Sequence, residues 1–232
     1  QMCIRDSAYM TARNELIDLL AALVRIDSVN PDLIPGARGE GEIAAFIADW
    51  ATRRGLEVVV QEAAPGRPNV IVMARGTGGG MNLLLNGHID TVGLAGMTDP
   101  FTPRMGEGRL YGRGAYDMKA GVAASLITAQ RARALGLRGD VIVACVADEE
   151  VASLGTEAVV RELHRWRPDA AIVAEPTEMV LAVAHKGFAW FDIETFGVAA
   201  HGSRPHPVSY THLRAPETVL DIVCRLLLEN KK

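Results

Sequence analysis

Short apolar segments alternate with amphipathic helical segments along most of this chain, and this alternation constrains its fold more than any other feature. The β-branched run Asp140–Ala147 is typical of a buried strand, and the Ala-rich segment Lys119–Leu135 before it has the length and pattern of a helix. Strands that alternate with helices are typical of an α/β domain. The sequence therefore predicts a mixed, mostly parallel sheet with helices on both faces.

The remaining predicted elements follow the same alternation. The pattern predicts helices over Ala12–Ile26, Glu40–Arg54 and Leu154–Trp166, and strands over Leu56–Gln61, Asn69–Ala74, Asn82–Asn86 and Ala170–Ala174. The glycine-rich segment Gly76–Gly80 is similar to a phosphate-binding loop, but it leads into a strand instead of a helix. We therefore interpret it as a turn.

The pattern changes near the C-terminal end. Val180–Ala184 and Phe188–Phe196 are strand-like with no helix between them, which predicts the first hairpin of a smaller α+β lid or dimerisation domain. Residues 2–6 (MCIRD) and 208–212 (VSYTH) can be encoded by complementary DNA strands, which resembles a translated sequencing adapter. We expect residues 1–9 and 208–232 to be non-native, 10–178 to form the α/β domain, and 179–207 to begin the smaller domain.

Composition excludes several classes of function. The net charge of −4 and the lack of a Lys/Arg-rich run argue against binding to nucleic acid or to an anionic membrane surface. No apolar segment approaches the length of a membrane span. Three cysteines without paired spacing indicate a reducing compartment, so we expect a cytoplasmic protein.

A histidine and an aspartate follow the predicted strand Asn82–Asn86. Neutral imidazole is a good zinc ligand, and it needs a neighbouring acceptor that fixes its tautomer. Asp90 lies two residues after His88, on the same side of an extended backbone, so its carboxylate can accept the ring N–H. His88 and Asp90 are therefore candidates for a metal ligand and its supporting acceptor.

Four further acids occupy related positions. Glu149 and Glu150 follow one predicted strand, Glu175 follows another, and Asp117 lies between a glycine-rich turn and a helix. Ligands of open α/β sheets bind outside the carboxyl ends of the strands. One histidine with several carboxylates at that edge indicates a metal site, with zinc as the natural candidate.

Each acid also has an ordinary interpretation. Asp117 could be a helix N-cap, Glu149 and Glu150 could favour a helix N-terminus, and Glu175 could be a loop carboxylate. Their shared location near strand ends favours the metal site over these alternatives.

Five motifs in this order, GHIDTV, GRGAYDMKAG, DEE, AEPT and AHGSRP, carry a family resemblance over residues 10–205. They resemble the di-zinc amidohydrolase and peptidase family that includes acetylornithine deacetylase, succinyl-diaminopimelate desuccinylase, aminoacylase and glutamate carboxypeptidase. The resemblance implies that residues 10–178 form the catalytic domain. It further implies that His88 and Glu175 hold one zinc ion, that Glu150 holds the other, and that Asp117 bridges them.

The same resemblance implies roles for three more residues. Glu149 matches the general base, Asp90 matches the partner of His88, and His201 matches a histidine that stabilises the oxyanion, often across a dimer interface. A surface turn residue is the alternative for His201. The implied cofactors are two Zn²⁺ ions per complete site, with Co²⁺ as a substitute. The implied partners are an N-acyl amino acid or peptide substrate and a second subunit.

The predicted activity is zinc-dependent hydrolysis of an amide bond in an N-acyl amino acid or a small peptide. Nothing after Pro207 matches the family histidine that completes the second zinc site, so we expect this chain by itself to be inactive. The alternative is a non-catalytic binding or partner module on the same α/β scaffold.

Overall fold

The computed structural model describes residues 2–184, with side chains described from residue 13 onward. The chain divides into two compact units, Gln1–Leu181 and Ala182–Lys232, and the architecture below is that of the first. The predicted strand Phe188–Phe196 and His201 lie outside the described residues. The predicted domain boundaries, including the non-native origin of residues 1–9 and 208–232, stay predictions.

The described elements reproduce the predicted alternation. The helices are α1 (Met2–Arg25), α2 (Gly41–Thr52), α3 (Ala120–Leu135), α4 (Leu154–Arg161) and α5 (Leu163–Trp166). The strands are β1 (Glu57–Ala64), β2 (Arg67–Ala74), β3 (Leu83–His88), β4 (Arg104–Gly106), β5 (Arg109–Tyr111), β6 (Val141–Val146) and β7 (Ala170–Val173), and an irregular turn covers Ala115–Lys119. Within these residues, no helix combines the length and the apolar character needed to cross a membrane.

Five strands form one mixed sheet in the order β1-β2-β6-β3-β7. β6, β3 and β7 are parallel neighbours, whereas β2 is antiparallel to both β1 and β6. The tight turn at Pro65-Gly66 reverses the chain between β1 and β2, and such a short connection allows only antiparallel pairing. The predicted mixed sheet is confirmed, with its pairings divided evenly between parallel and antiparallel.

Helices cover both faces of this sheet. Along β6, Val143 and Cys145 face a cluster formed with α1, α2 and α3, whereas Ile142 and Ala144 face a cluster formed with α4 and α5. All four side chains are buried, as expected for a central strand whose residues alternate between two covered faces. The predicted α/β architecture is therefore confirmed.

Three differences from the predicted elements stand out. The predicted helix Leu154–Trp166 is interrupted at Glu162, where the amide bonds to the Val159 carbonyl three residues back and tightens the last turn of α4. α1 begins at Met2 instead of Ala12. The hairpin of β4 and β5 was not predicted, because three-residue strands are too short to show a periodic pattern.

The strand predicted at Val180–Ala184 is wrong for the described part of the chain. These residues are irregular and exposed, and Leu181 and Val183 are almost fully accessible. A strand needs a hydrogen-bonded neighbour, and no described strand pairs with this segment. Apolar, β-branched composition alone was therefore a misleading signal here.

The parallel neighbours define the location of the site. We call the sheet edge at the carboxyl ends of β6, β3 and β7 the site edge, and the edge at their amino ends the far edge. In the register, His88 lies beside Val146 at the site edge, and Leu83 lies beside Val141 at the far edge. β2 runs in the opposite direction, so its first residue, Arg67, also belongs to the site edge.

Candidate metal centre

His88 is the last residue of β3 and its side chain is buried. Its Nε2 atom lies 3.1 Å from Oδ1 of Asp117. The same nitrogen is 3.8 Å from Oε2 of Glu149 and 3.8 Å from Oε1 of Glu175. The main-chain N–H of His88 donates to Sδ of Met118 at 3.2 Å. Carboxylates therefore surround the Nε2 atom of a buried imidazole.

Two overlapping triads have the spacing of a metal site. His88, Asp117 and Glu150 form one, and His88, Glu149 and Glu175 form the other, with the candidate ligand atoms of each triad within 4.8 Å of one another. One imidazole with carboxylate oxygens fits a divalent metal such as zinc. Glu149 and Glu150 each belong to one triad, so distances alone assign neither residue as the base, and those roles stay predictions.

Asp90 lies beside the imidazole of His88 and makes contacts beyond the predicted one. Nδ1 of His88 is 3.0 Å from the main-chain oxygen of Asp90 and 3.4 Å from its carboxylate, so the carbonyl is the nearer acceptor. The carboxylate also accepts the main-chain N–H groups of Glu149 and Glu150 at 3.1 and 3.2 Å. Asp90 therefore joins β3 to the loop that carries both glutamates.

The helix-terminus interpretations of the acids are wrong. Asp117 has φ −114° and ψ 105°, which is not helical, and the N-cap position of α3 is Lys119. The peptide bond after Asp117 is cis. Glu149 and Glu150 precede α4, which begins at Leu154. Asp117 and the two glutamates therefore lie in irregular backbone, where their carboxylates turn toward His88.

The pKa values of His88, Glu150 and Glu175 are all raised above their ordinary values. Burial lowers the pKa of His88, but the hydrogen bonds to Asp117 and Asp90 outweigh burial and raise this pKa to about 11. Burial, reinforced by repulsion from neighbouring carboxylates, raises the pKa of Glu150 to about 7 against the attraction of His88. Burial also raises the pKa of Glu175, with repulsion from Asp117 and from Glu149 adding to it. A bound cation would relieve this repulsion, so the electrostatics fit a metal site.

Lys119 supports the Asp117 turn and was not recognised from the sequence. Its side chain is fully buried, and Nζ donates to the main-chain oxygens of Leu23 at 3.0 Å and Ile26 at 2.8 Å. Burial lowers the pKa of Lys119 to about 7. The ammonium group thus holds the turn against the end of α1. In the sequence, a lysine before an Ala-rich helix gives no sign of such a contact.

Four more buried polar residues lie behind the cluster and were also missed: Asn30, Glu40, Arg67 and Asp148. Only Asp148, directly before Glu149, gave any signal in the sequence. The other three are far from the site along the chain. The sequence-predicted residues that the structure brings together are His88, Asp90, Asp117, Glu149, Glu150 and Glu175.

Comparison with known families gives one match that covers more than half of the chain. Residues 84–221 match the profile of Peptidase family M20/M25/M40. The match continues past Val208, where the sequence analysis placed a non-native segment, and that boundary stays a prediction.

Individual relatives agree with this match. The chain is 33% identical over 193 residues to acetylornithine deacetylase of Shigella sonnei, which covers 82% of this chain and 50% of that protein. The chain therefore spans about half the length of this curated relative.

Two solved structures share the fold. Human carnosine dipeptidase 1 superposes with a TM-score of 0.62 at 24% identity, over 72% of this chain and 39% of that one. The YXEP protein of Bacillus subtilis, described as a dinuclear metal-binding peptidase, superposes with a TM-score of 0.53 at 19% identity, over 71% of this chain and 43% of that one. At these identities the likeness shows the fold alone.

Proposed function

The chain belongs to Peptidase family M20/M25/M40, and from that premise we propose that its protein hydrolyses an amide bond in an N-acyl amino acid or a small peptide, with zinc as cofactor. The observation that carries the proposal is the convergence of one histidine and four carboxylates at the site edge, where they form two triads that share His88 and whose candidate ligand atoms lie within 4.8 Å of one another. The similarity to a deacetylase supports the N-acyl amino acid class, and the peptidase family match supports the peptide class.

We assign the ligands from the family resemblance; the two triads group the same residues differently, with Glu150 beside His88 and Asp117 and with Glu149 beside His88 and Glu175. His88 and Glu175 would hold one zinc ion, Glu150 would hold the other, and Asp117 would be shared. The hydrogen bond between Asp117 and Nε2 of His88 supports the shared position, since it brings this carboxylate to the middle of the cluster. When bound, the two ions would acidify the attacking water and polarise the scissile carbonyl.

Glu149 is the proposed general base. It would take a proton from the attacking water and later deliver that proton to the leaving amine. Asp90 supports this role from behind, because its carboxylate accepts the main-chain N–H of Glu149 at 3.1 Å. Its main-chain oxygen also orients Nδ1 of His88, which leaves Nε2 directed at the acids.

Several finer parts of the proposal come from the sequence alone. They are an oxyanion-stabilising role for His201, a homodimer through the second domain, Co²⁺ as a substitute metal and a cytoplasmic location. His201 lies outside the described residues, so its role depends entirely on the motif AHGSRP.

Metal analysis distinguishes this proposal from a non-catalytic module. The 232-residue chain should retain about one zinc ion tightly, because among the described residues one position has three ligands and the other has Asp117 and Glu150. His88→Ala should lose that zinc, whereas His164→Ala, which changes an exposed histidine on α5, should keep it. Absence of zinc in the unmodified chain would contradict the proposal.

Turnover is the second arm of the experiment. A longer protein that contains this chain and spans the full length of the curated relative should bind two zinc ions and hydrolyse members of a panel of N-acyl amino acids and dipeptides. The chain by itself should hydrolyse none of them. Zinc binding without turnover in the longer protein would instead favour the binding or partner module.

A further inference from the structure

The loop after β6 turns sharply at Asp148, directly before Glu149 and Glu150. Asp148 has φ 65°, in the left-handed region that residues other than glycine seldom adopt. Its main-chain oxygen accepts the amides of Ala152 and Ser153 at 3.2 and 2.6 Å, which closes the turn. A turn of this kind persists when surrounding contacts determine it, so the contacts of Asp148 decide where the two glutamates lie.

Asp148 is fully buried, and both its side chain and its main chain make hydrogen bonds to other parts of the chain. Oδ1 accepts hydrogen bonds from Nη2 of Arg67 at 2.9 Å and from Nδ2 of Asn30 at 3.1 Å. The main-chain N–H of Asp148 donates to Oε1 of Glu40 at 3.2 Å. Oδ2 accepts the amide of Leu154 at 3.4 Å. The turn is thus anchored through both its backbone and its carboxylate.

Arg67 neutralises and orients this network. Its guanidinium binds Glu40 through two nitrogens, at 2.7 and 2.8 Å, and it also binds Asp148 and Asp32. Glu40 and Asp148 are both fully buried, and two buried carboxylates this close together need a positive partner. The planar fork of arginine can serve both carboxylates at once, which a single ammonium group cannot do with the same geometry.

We infer that Arg67 is a positioning residue for Glu149 and Glu150: it fixes the Asp148 turn and thereby holds the two glutamates against the imidazole of His88. Asn30 extends this connection, because its Nδ2 atom also donates to the carboxylate of Asp90 at 2.7 Å. The consequence for metal binding rests on the proposed function, whereas the effect on the turn does not.

The first measurement is amide hydrogen exchange in the 232-residue chain. Arg67→Lys keeps the positive charge and removes the fork. The amides of Glu149 and Glu150 should exchange faster by about tenfold or more, the size expected for loss of one hydrogen bond to a charged group. Unchanged exchange at both amides would overturn the inference.

Arg75 offers a matched control at the other end of β2. It binds Glu57 through two nitrogens, at 2.7 and 2.9 Å, and Asp140 at 2.8 Å. Like Arg67, it therefore binds one carboxylate with two nitrogens of its guanidinium group and also binds a second carboxylate. Arg75→Lys should leave the exchange of Glu149 and Glu150 unchanged. Equal acceleration in the two variants would show that Arg67 has no specific role in the turn.

The second measurement is the visible absorption of Co²⁺ bound to the longer protein, in which both metal positions are expected to be filled. Glu150→Gln defines the part of the cobalt spectrum that depends on Glu150. Arg67→Lys should remove the same part, and Arg75→Lys should keep it. A lower melting temperature for Arg67→Lys with an unchanged cobalt spectrum and unchanged exchange would show a purely structural role and overturn the inference.

Two further arms keep the test decisive. If the unmodified longer protein binds no cobalt, the proposed function fails, and the exchange measurement still decides the inference. If Arg67→Lys does not fold, Asp148→Asn replaces it, because the amide keeps the side-chain volume and removes the charge that Arg67 pairs. Faster exchange at Glu149 and Glu150 in Asp148→Asn supports the inference, and unchanged exchange overturns it.

Discussion

Arg67 and Arg75 stand at the two ends of β2, and each binds carboxylates from neighbouring segments. At the site edge, the Arg67 side chain is only 8% exposed and its partners Glu40 and Asp148 are fully buried. At the far edge, the Arg75 side chain is 53% exposed. Both clusters pair a guanidinium group with carboxylates, so they differ chiefly in burial. Burial makes the Arg67 cluster a rigid support for the site and leaves the Arg75 cluster a surface ion pair.

The carboxylates at the two edges also differ in their pKa values. At the far edge, the hydrogen bond from Arg75 lowers the pKa of Glu57. Burial raises the pKa of Asp140, but the Gly76 amide and Arg75 outweigh burial and lower it. At the site edge, by contrast, burial and carboxylate repulsion raise the pKa of Glu150. At the far edge, Arg75 pairs the carboxylates of Glu57 and Asp140. At the site edge, carboxylates repel one another, and a bound cation would relieve this repulsion.

The largest expected effect is the loss of turnover on substitution of Glu149, compared with the loss of metal on substitution of Glu150. Both are measured in the longer protein. Glu149→Gln keeps the side-chain size and removes the base, so kcat should fall by about 10²–10⁴-fold with both metals retained. Glu150→Gln should instead lower the occupancy of one metal. Steady-state kinetics and metal analysis check both outcomes. Glu57→Gln at the far edge should change neither, and equal metal loss in Glu149→Gln and Glu150→Gln would contradict the assignment.

The next effect concerns stability and tests the comparison of the two arginines directly. Arg67→Ala leaves two buried carboxylates without their partner, and should lower the free energy of unfolding by about 3–5 kcal/mol. Arg75→Ala breaks an exposed pair, and should lower it by at most about 1 kcal/mol. Urea unfolding of the two variants measures both values. Similar losses would mean that burial does not distinguish the two clusters.

A smaller effect is expected for the carboxylate that holds the glutamate loop. Asp90→Ala removes the acceptor of the Glu149 and Glu150 amides, and should weaken zinc affinity by about 10–100-fold. Asp169 is the matched residue at the far edge, where its carboxylate accepts the Asn82 amide at 2.6 Å. Asp169→Ala should leave zinc affinity unchanged. A metal-bound structure with Asp90 as a direct ligand would refute the supporting role.

The smallest expected effect is the pH dependence of zinc binding. The pKa of His88 is raised to about 11, so without metal its imidazole is protonated at neutral pH. Zinc needs the neutral ring, so apparent affinity should rise by about tenfold per pH unit, with about one proton released from His88 per zinc ion. Calorimetry in buffers of different ionisation enthalpy measures this release. Affinity independent of pH between 6 and 8 would exclude His88 as a ligand.

The same shift predicts how the stability of the metal-free chain depends on pH. The folded-state pKa of His88 lies above the ordinary histidine value of 6.5, so protonated His88 stabilises the fold fully below pH 6.5. That stabilisation is lost as the pH rises toward 11. His88→Gln should remove this dependence in urea unfolding followed across the same pH range.

Local patterns were enough to predict most of the architecture and the acids of the site. The alternation of apolar runs with helical periodicity predicted the strands and helices around β6, because both repeats are properties of neighbouring residues. Glu149 and Glu175 were predicted at the site because parallel strands bring their carboxyl ends to one edge. Glu150 was predicted there for the same reason, and Asp117 because it lies between a glycine-rich turn and the next helix. Val180–Ala184 pairs with no strand in the described part of the chain and shows where a local pattern misleads.

The sequence by itself determined which residue types stand at the strand ends, and therefore the kind of chemistry that the site can perform. Only the tertiary structure decided what holds those residues in place. Arg67 and Asp148 are 81 residues apart, and Asn30 and Asp148 are 118 apart, so no local periodicity relates them. The direction of β2 brings Arg67 to the site edge, and burial there strengthens its contacts. Burial and long-range pairing arise only when the whole chain packs, which is why Arg67 and Arg75 look alike in the sequence and differ in the fold.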